Sequence, residues 1–197
     1  MTNRTRWTID EAHSGISFKV RHLMIANVKG AFKTFDASIY TTGNDFSTAE
    51  INLSIDAGSI TTGNAKRDEH LKGVDFFDVN NHKQIIFISS TIGEPGPDDI
   101  YKLPGKLTMK GVTRNVKLKM RFGGIINDPA GVERAGLSVI GKLNRSDWGL
   151  MWNSVIETGG LMVSEEVMIL CDIELINTSK SDLKMELQQT GVHEVSP

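Results

Sequence analysis

Apolar residues recur at every second position along most of the chain. Ile51, Leu53 and Ile55 alternate with polar neighbours, and residues 116–122 repeat the pattern with lysine and arginine between the apolar positions. A period of two is typical of β-strands that have one face in water. Further strands are predicted in residues 15–23, 28–40, 83–93, 100–109, 112–122, 134–144 and 165–176.

The alternation changes phase once, near Lys33. Val28 and Phe32 fall on one parity, whereas Phe35 and Ile39 fall on the other. Because a shift by one residue turns every later side chain to the opposite face, a β-bulge near Lys33 is predicted. A bulge also bends the strand, as closure of a barrel requires.

A single short helix is predicted between these strands. Asn64 is suited to cap it, residues 66–71 fill it, and Gly73 ends it. The chain is therefore predicted to be all-β, an eight-stranded antiparallel barrel with one short helix, whose interior is wide enough for one small ligand. Residues 1–176 are predicted to form this single domain, followed by a frayed polar tail over residues 177–197.

Composition and charge narrow the classes of partner. The 197 residues have a formal net charge of −2 and no local basic cluster, so no nucleic-acid partner is expected. The first residues lack the features of a secretory signal, and no apolar run is long enough to span a membrane. We expect a cytoplasmic protein that is not integral to a membrane, or a periplasmic one if a signal was removed.

Candidate catalytic chemistry is concentrated in residues 67–87, where acids, bases and imidazoles crowd together. The motifs His-Glu-x-x-His, Cys-x-x-Cys and Gly-x-Ser-x-Gly are absent, so neither a metal ion, a cofactor nor an activated serine is indicated. The lone cysteine, Cys171, is in phase with Ile169 and Ile173 and is predicted to be a small buried apolar residue.

The chain resembles the YceI-like polyisoprenoid-binding proteins over about residues 7–176. The resemblance rests on six blocks in order: WTIDEAHSGISFKVRHL, VKGAFKTF, RDEHLKGVDFFDV, IIFIS, GKLTMKGVTRNVKL and RSDWGL. It implies a closed lipocalin-like barrel that sequesters an isoprenoid or similar lipid chain, with no established catalytic residues. Many members carry a secretory signal, and this sequence departs from them because its first residues lack the features of one.

The wall of such a cavity can be predicted from strand parity. Nine positions lie on the apolar parity of their strands: Phe18, Val20, Phe32, Leu53, Ile88, Leu118, Met120, Val139 and Ile169. His22 falls in phase with the apolar set of its strand and is predicted to point inward. A polar group inside an apolar cavity needs a partner, either the head of a ligand or a barrel residue such as Ser14 or Asp10.

The charged stretch is then predicted to form the rim of the barrel. The candidate ligand contacts there are Arg67, His70, Leu71, Phe76 and Phe77. Arg67 lies three residues from His70 and four from Leu71, so these side chains are neighbours on the helix. Alternatively, Arg67, Asp68 and Asp78 pair with one another and fix the helix to the sheet.

The segment that follows residue 144 has two interpretations. Arg145 and Asp147 are predicted to brace a strand end, and Trp148 to pack at the barrel end or to serve as a platform for a ligand. Residues 150–163 are too apolar for an ordinary surface loop. They form either a lid over the barrel mouth or a subunit contact, which makes a homodimer a candidate assembly.

Three classes of function remain open. The first is non-catalytic binding, storage or transport of a long-chain isoprenoid, a quinone or a fatty-acid-like lipid. The second is an enzyme that acts on a lipid or quinone inside the cavity, with His22, His70 and Asp75 as acid–base groups. The third is a stress-related structural oligomer whose cavity is incidental.

Overall fold

A computed structural model describes residues 4–90, 92–155 and 162–179. The described residues form eleven β-segments, one α-helix and two 3-10 turns, Ala57–Ser59 and Arg145–Trp148. The segments are β1 Arg4–Ile9, β2 Gly15–His22, β3 Ala26–Phe32, β4 Phe35–Thr42, β5 Asp45–Asp56, β6 Ile60–Thr61, α1 Ala65–Lys72, β7 Gln84–Ser89, β8 Ile100–Met109, β9 Val112–Asn127, β10 Glu133–Asn144 and β11 Val163–Asn177.

All pairings are antiparallel, and the sheet closes on itself. The ring runs β1-β4-β5-β7-β8-β9-β10-β11 and returns to β1. The remaining three segments extend strands of this ring. β2 follows β1 along the same edge of β11, β3 pairs with β2 and so extends β4, and β6 pairs with β3 and so extends β5. Eight positions around the barrel are thus occupied, three of them by an interrupted strand. The predicted eight-stranded antiparallel barrel with one helix is confirmed.

The predicted β-bulge near Lys33 is wrong, because the phase slip there is a break between β3, which ends at Phe32, and β4, which begins at Phe35. The amide of Lys33 donates to the carbonyl of Ser59 at 3.2 Å, and the carbonyl of Thr34 accepts from the amide of Asp56 at 2.9 Å. Phe32 and Phe35 are both buried on either side of the break. Because the neighbouring strand is interrupted at the same level by the turn Ala57–Ser59, the barrel wall bends there.

The two ends of the barrel differ. At the end where β1 begins, Trp7 and Leu175 are fully buried, and the Trp7 indole Nε1 donates to Thr41 Oγ1 at 2.9 Å. The Trp7 ring also packs on Phe46, with centroids 5.3 Å apart. Aromatic side chains therefore plug this closed end. At the opposite end, called the open end below, β2 finishes at His22 and α1 covers part of the opening.

The helix forms as its capping residues predict. The side chain of Asn64 accepts from the amide of Arg67 at 3.0 Å, and α1 ends at Gly73, whose amide donates to the carbonyl of His70. This N-cap satisfies an amide that the first turn of a helix leaves without a partner. The predicted helix is confirmed, and α1 has no fully buried residue.

Hydrogen bonds between the last strand and β1 continue slightly beyond residue 176. β11 runs to Asn177, the amide of Thr178 donates to the carbonyl of Arg6 at 2.9 Å, and Ser179 Oγ accepts from the Arg6 amide at 2.7 Å. Residues 180–197, which include most of the predicted tail, lie outside the described residues. Of the helices that the structure describes, none has the length and apolar character needed to cross a membrane.

A cluster of charges ties three segments together on the outside of the barrel near its closed end. The Arg134 guanidinium donates to Asp128 at 2.9 Å, to Asp10 at 2.7 Å and to Glu174 at 2.6 Å. Asp10 also lies 3.0 Å from His13 Nδ1. Hydrogen bonds from His13 and Arg134 lower the pKa of Asp10 from 3.8 to about 2.

We expect this cluster to make the stability of the barrel acid-sensitive. A carboxylate whose pKa is lowered by folding stabilises the folded state above its unfolded pKa, and loses that effect as pH falls through its folded pKa. Replacing Asp10 with Asn should therefore lower the free energy of unfolding at pH 5, and the difference from wild type should shrink between pH 3.8 and about 2. Urea unfolding at a series of pH values measures it. A constant difference across that range would assign the effect to packing.

Candidate ligand-binding cavity

The barrel encloses a cavity of about 580 Å³. Its wall is almost entirely apolar and runs from deep residues such as Ile9 and Leu137 to the open end. Eight of the nine positions predicted from strand parity line it: Phe18, Val20, Phe32, Leu53, Leu118, Met120, Val139 and Ile169. Their contact with a ligand remains a prediction.

Ile88 is the exception, and the prediction for it is wrong. Its side chain is 49% exposed on the outside of β7, whereas Ile85 and Phe87 line the cavity. The cause lies in the sequence, because residues 85–88 are apolar without interruption and a run of this kind has no readable parity. The paired strands decide the facing: Phe87 lies opposite Leu53 of β5, which also points inward.

Trp148 belongs to the core but not to the cavity wall. It is 2% exposed, and its indole Nε1 donates to the carbonyl of Leu107 at 3.0 Å. Next to it, Arg114 Nε donates to the carbonyl of Asp147 at 3.1 Å. The indole therefore fixes the turn Arg145–Trp148 against β8, and its predicted role as a ligand contact is replaced by packing at the barrel end.

The basic side chains of the cavity wall lie at its open end. They are His22, Lys66, Arg67, His70 and Arg145, whereas no aspartate or glutamate of the described residues lines the cavity. Lys66 was predicted only as part of the helix and Arg145 only as a brace, so their place in the cavity wall was not predicted. The arrangement favours a ligand whose head accepts hydrogen bonds or is anionic.

Arg67 and Asp68 brace the helix, although not in the predicted way. Arg67 donates to Thr62 Oγ1 at 2.7 Å and to the Thr62 carbonyl at 3.1 Å. Asp68 accepts from the Thr62 amide at 2.8 Å, and hydrogen bonds from Thr62 lower its pKa. Asp78 instead binds the side-chain amide of Asn81. The predicted mutual pairing of Arg67, Asp68 and Asp78 is wrong, because Thr62 and Asn81 provide nearer partners.

His70 is held in position at the rim. Its Nε2 lies 3.0 Å from Asp75 Oδ2, and its ring meets Trp152 and Phe76 edge to face, with centroids 4.7 and 5.2 Å apart. Phe77 packs edge-on against Phe32 at 5.9 Å and also lines the cavity, as do Leu71 and Phe76. The aromatic rings close one side of the opening.

His22 points into the cavity, as its parity predicts. The proposed partners Ser14 and Asp10 are wrong, since they lie beyond the opposite end of β2. Ser14 Oγ instead accepts from the Glu174 amide at 2.9 Å. Within the part of the chain that the structure describes, no side-chain hydrogen bond reaches the His22 ring, and this leaves its ring nitrogens available to the head of a ligand.

Arg145 organises the segment that follows it. It is buried, and it donates to the carbonyls of Ser164 at 3.0 Å, Trp152 at 2.9 Å and Leu150, and to Glu165 Oε1 at 3.1 Å. The predicted pairing of Arg145 with Asp147 is therefore wrong, although the bracing role is right.

The segment held by Arg145 covers part of the opening. Leu150, Trp152, Met162 and Val163 line the cavity, which supports the interpretation as a lid. Residues 156–161, including the predicted Ile156 and Leu161, lie outside the described residues. Contact with a second subunit remains a prediction.

Nucleophilic or metal chemistry has little support in the cavity. Cys171 lines it, and burial away from bulk water raises the pKa of its thiol to about 12, so the thiol stays protonated at neutral pH. The predicted small apolar role of Cys171 agrees with this. Among the described residues, Asp10, His13 and Glu174 alone are grouped closely enough to bind a metal ion. They lie outside the barrel, and the Arg134 guanidinium already binds two of them.

A closed antiparallel barrel with an apolar interior and a polar rim defines the lipocalin-like class of ligand-binding barrels. The chain belongs to the YceI-like domain family, whose model matches residues 7–175. A UPF0312 protein of Staphylococcus aureus is 37% identical over 164 residues, which cover 83% of this chain and 92% of that protein.

Two solved structures share the fold. BcnA of Burkholderia cenocepacia matches with a TM-score of 0.72 and 23% identity, over 84% of this chain and 98% of that chain. A polyisoprenoid-binding domain from Saccharophagus degradans, implicated in plant cell wall breakdown, matches with a TM-score of 0.63 and 14% identity, over 87% and 98%. At these identities the likeness concerns the fold.

Proposed function

We propose that this protein binds a long-chain isoprenoid or a similar lipid inside its barrel and stores or transports it without changing it chemically. The apolar cavity of about 580 Å³ with a polar rim at one end is the observation on which the proposal rests. Membership of the YceI-like family and the fold shared with a polyisoprenoid-binding domain support the same class of ligand.

The size of the cavity limits the buried part of the chain. A water molecule occupies roughly 30 Å³ in the liquid, and if a methylene group takes a similar volume, about twenty such groups fit, or about four isoprene units. Burial contributes about 0.8 kcal/mol for each methylene, so ten carbons already supply roughly 8 kcal/mol before the costs of ordering. Micromolar binding therefore needs few polar contacts.

The head of the ligand is expected at the open end. Lys66 and the His22 ring lie where a chain that fills the cavity would end, and no carboxylate of the described residues lines that region. A phosphate, a carboxylate or a quinone carbonyl would accept hydrogen bonds there, whereas a cationic head would meet like charge.

The cargo can be identified by solvent extraction of the purified protein followed by lipid mass spectrometry. We expect about one molecule of an isoprenoid, quinone or fatty-acid derivative for each chain. For an added prenyl series, affinity should rise with chain length to about twenty carbons and then level off. Protein that neither retains a lipid nor binds any member of the series would contradict the proposal.

His70 distinguishes carriage from catalysis, because its pairing with Asp75 at 3.0 Å is the arrangement in the cavity wall that most resembles an oriented base. We expect His70→Ala to weaken lipid retention by roughly 0.5–1.5 kcal/mol, as for one hydrogen bond, and to leave the lipid chemically unchanged. Extraction and titration with the same lipid measure both effects.

His82→Ala is the matched control, since His82 lies at the same end of the barrel, packed beside Gly111 and outside the cavity wall. A converted lipid product that wild type forms and His70→Ala does not, at unchanged stability, would support an enzyme, for which a loss of roughly 10²–10⁴ is expected.

A further inference from the structure

The turn between β2 and β3 is unusually apolar for a hairpin tip. It consists of Leu23, Met24 and Ile25, and the side chains of Met24 and Ile25 are 55% and 86% exposed. Hairpin turns normally carry glycine, asparagine or aspartate. Large apolar residues at an exposed tip gain nothing from contact with water and indicate a surface that meets something apolar.

The backbone of this tip is unfavourable for its residues. Leu23 and Met24 have φ values of 50° and 60°, in the left-handed region that glycine and asparagine adopt most readily. The tip is nevertheless fixed, because the Leu23 amide donates to the carbonyl of Met162 at 2.8 Å, and Met162 lines the cavity. The sequence therefore keeps apolar side chains where a smaller polar residue would relieve strain.

Other exposed apolar side chains surround the same opening. The described residues include eight large apolar side chains that are exposed, and five of them lie at the open end: Met24, Ile25, Val74, Met151 and Val155. Val74 follows α1, where its carbonyl accepts from Lys110 Nζ, and Met151 lies between Leu150 and Trp152 of the cavity wall. The apolar surface thus rings the entrance of the cavity.

The charge of the hairpin shows which apolar partner fits. β2 and β3 carry Lys19, Arg21 and Lys29 on their outer face and no acidic residue. Lys19 and Lys29 lie directly opposite each other, an arrangement that repels, and in the described structure none of the three cations forms an ion pair. An apolar tip flanked by cations is complementary to an anionic bilayer, whose interface accepts apolar side chains and whose lipid heads attract lysine and arginine.

We propose that the open end docks onto the surface of an anionic lipid bilayer, with Met24 and Ile25 inserted at the level of the head groups. Docking there would place the cavity entrance against the phase in which a lipid cargo dissolves. The inference goes beyond cargo binding, and takes from the proposed function only the passage of a lipid through the open end.

Vesicle flotation with the full chain tests the docking. The probes are phosphatidylcholine vesicles with and without about one third phosphatidylglycerol. We expect wild type to float with the anionic vesicles, and Met24→Ser with Ile25→Ser to weaken that binding roughly tenfold or more. The matched control is Ile126→Ser with Ile140→Ser, which removes two exposed isoleucines away from the open end and should bind as wild type does.

The cationic flank is tested in the same assay. Arg21→Gln with Lys29→Gln should weaken binding roughly tenfold to thirtyfold, from about 1 kcal/mol for each cation near an anionic surface. Lys117→Gln with Lys119→Gln, on β9, should have little effect. Added salt should weaken wild type more than the Arg21 and Lys29 variant.

Three results would overturn the docking. The first is that wild type does not bind anionic vesicles. The second is that the tip variant and its isoleucine control lose equal affinity for the vesicles. The third is that wild type is a dimer that the tip substitutions convert to monomer, without vesicle binding, which would make the tip a subunit contact. Lipid extraction from the same preparations keeps the two proposals apart. Protein that floats with the vesicles but holds no lipid cargo would contradict only the proposed function. Protein that holds cargo but does not float would contradict only the docking.

Discussion

Val139→Trp combined with Cys171→Phe is expected to lower the affinity for a twenty-carbon prenyl chain on the order of 100-fold or more. Val139 and Cys171 are register partners on β10 and β11, and both line the cavity. Two added aromatic rings therefore meet at one level and close the lower part of the space. Excluding about five methylenes, at about 0.8 kcal/mol each, accounts for a loss of this size. Titration of the prenyl series measures it.

The adjacent register pair gives a control on the outer face. Ile140 and Leu170 lie opposite each other on the same two strands and do not line the cavity. Ile140→Trp with Leu170→Phe should leave the affinity unchanged. In the cavity variant, short chains of about ten carbons should lose less affinity than long ones. Equal losses at all lengths would mean that the ligand does not occupy the middle of the barrel.

The strands and the cavity wall are largely predictable because alternation is a local property. Leu118 and Met120 face inward on β9, and Lys119 between them faces outward, as their parity predicts. The same rule fails for Ile88, where four apolar residues follow one another and only the pairing of β7 with β5 decides the facing. The break at Lys33 was detectable because Phe32 and Phe35 are both apolar and three residues apart.

The polar contacts of the site were much less predictable, because their partners are distant in sequence or belong to the backbone. Arg145 binds backbone carbonyls, two of them in the segment that follows it, and Arg134 meets Asp10 and Glu174 only when the barrel closes. Parity correctly predicted that His22 points into the cavity. It could not show that His22 lies at the opposite end of β2 from Ser14. A rule that depends on neighbours in sequence gives the direction of a side chain, whereas its partner depends on the topology.

The distribution of side-chain size suggests that the cavity is maintained. Trp7 and Leu175 fill the closed end, whereas Val20, Val139 and Cys171 line the space further up. Larger side chains at those positions would gain dispersion contacts that an empty space does not provide. A bound chain would supply such contacts instead, and would stabilise the folded protein in proportion to its affinity and concentration.

The substitution expected to cost most stability is Arg145→Met. Methionine retains the apolar stem but leaves the carbonyls of Leu150, Trp152 and Ser164 without their donor, and Glu165 without its cation. We expect the free energy of unfolding to fall by roughly 2–4 kcal/mol, toward the lower end because Glu165 is partly solvated. Arg145→Lys should lose roughly half as much, since one ammonium cannot reach all four acceptors.

Urea unfolding measures the stability, and hydrogen exchange of the amides in residues 150–155 measures release of the lid. Lys142→Met, on β10 shortly before Arg145, is the matched control, because its exposed ion pair with Glu166 at 3.0 Å should contribute less than about 1 kcal/mol. If Arg145 holds the lid over the cavity, Arg145→Met should also speed the dissociation of a bound prenyl chain, and Lys142→Met should not. Equal stabilities for the two variants, with unchanged exchange in residues 150–155, would show that packing of Leu150 and Trp152 holds the lid without the arginine.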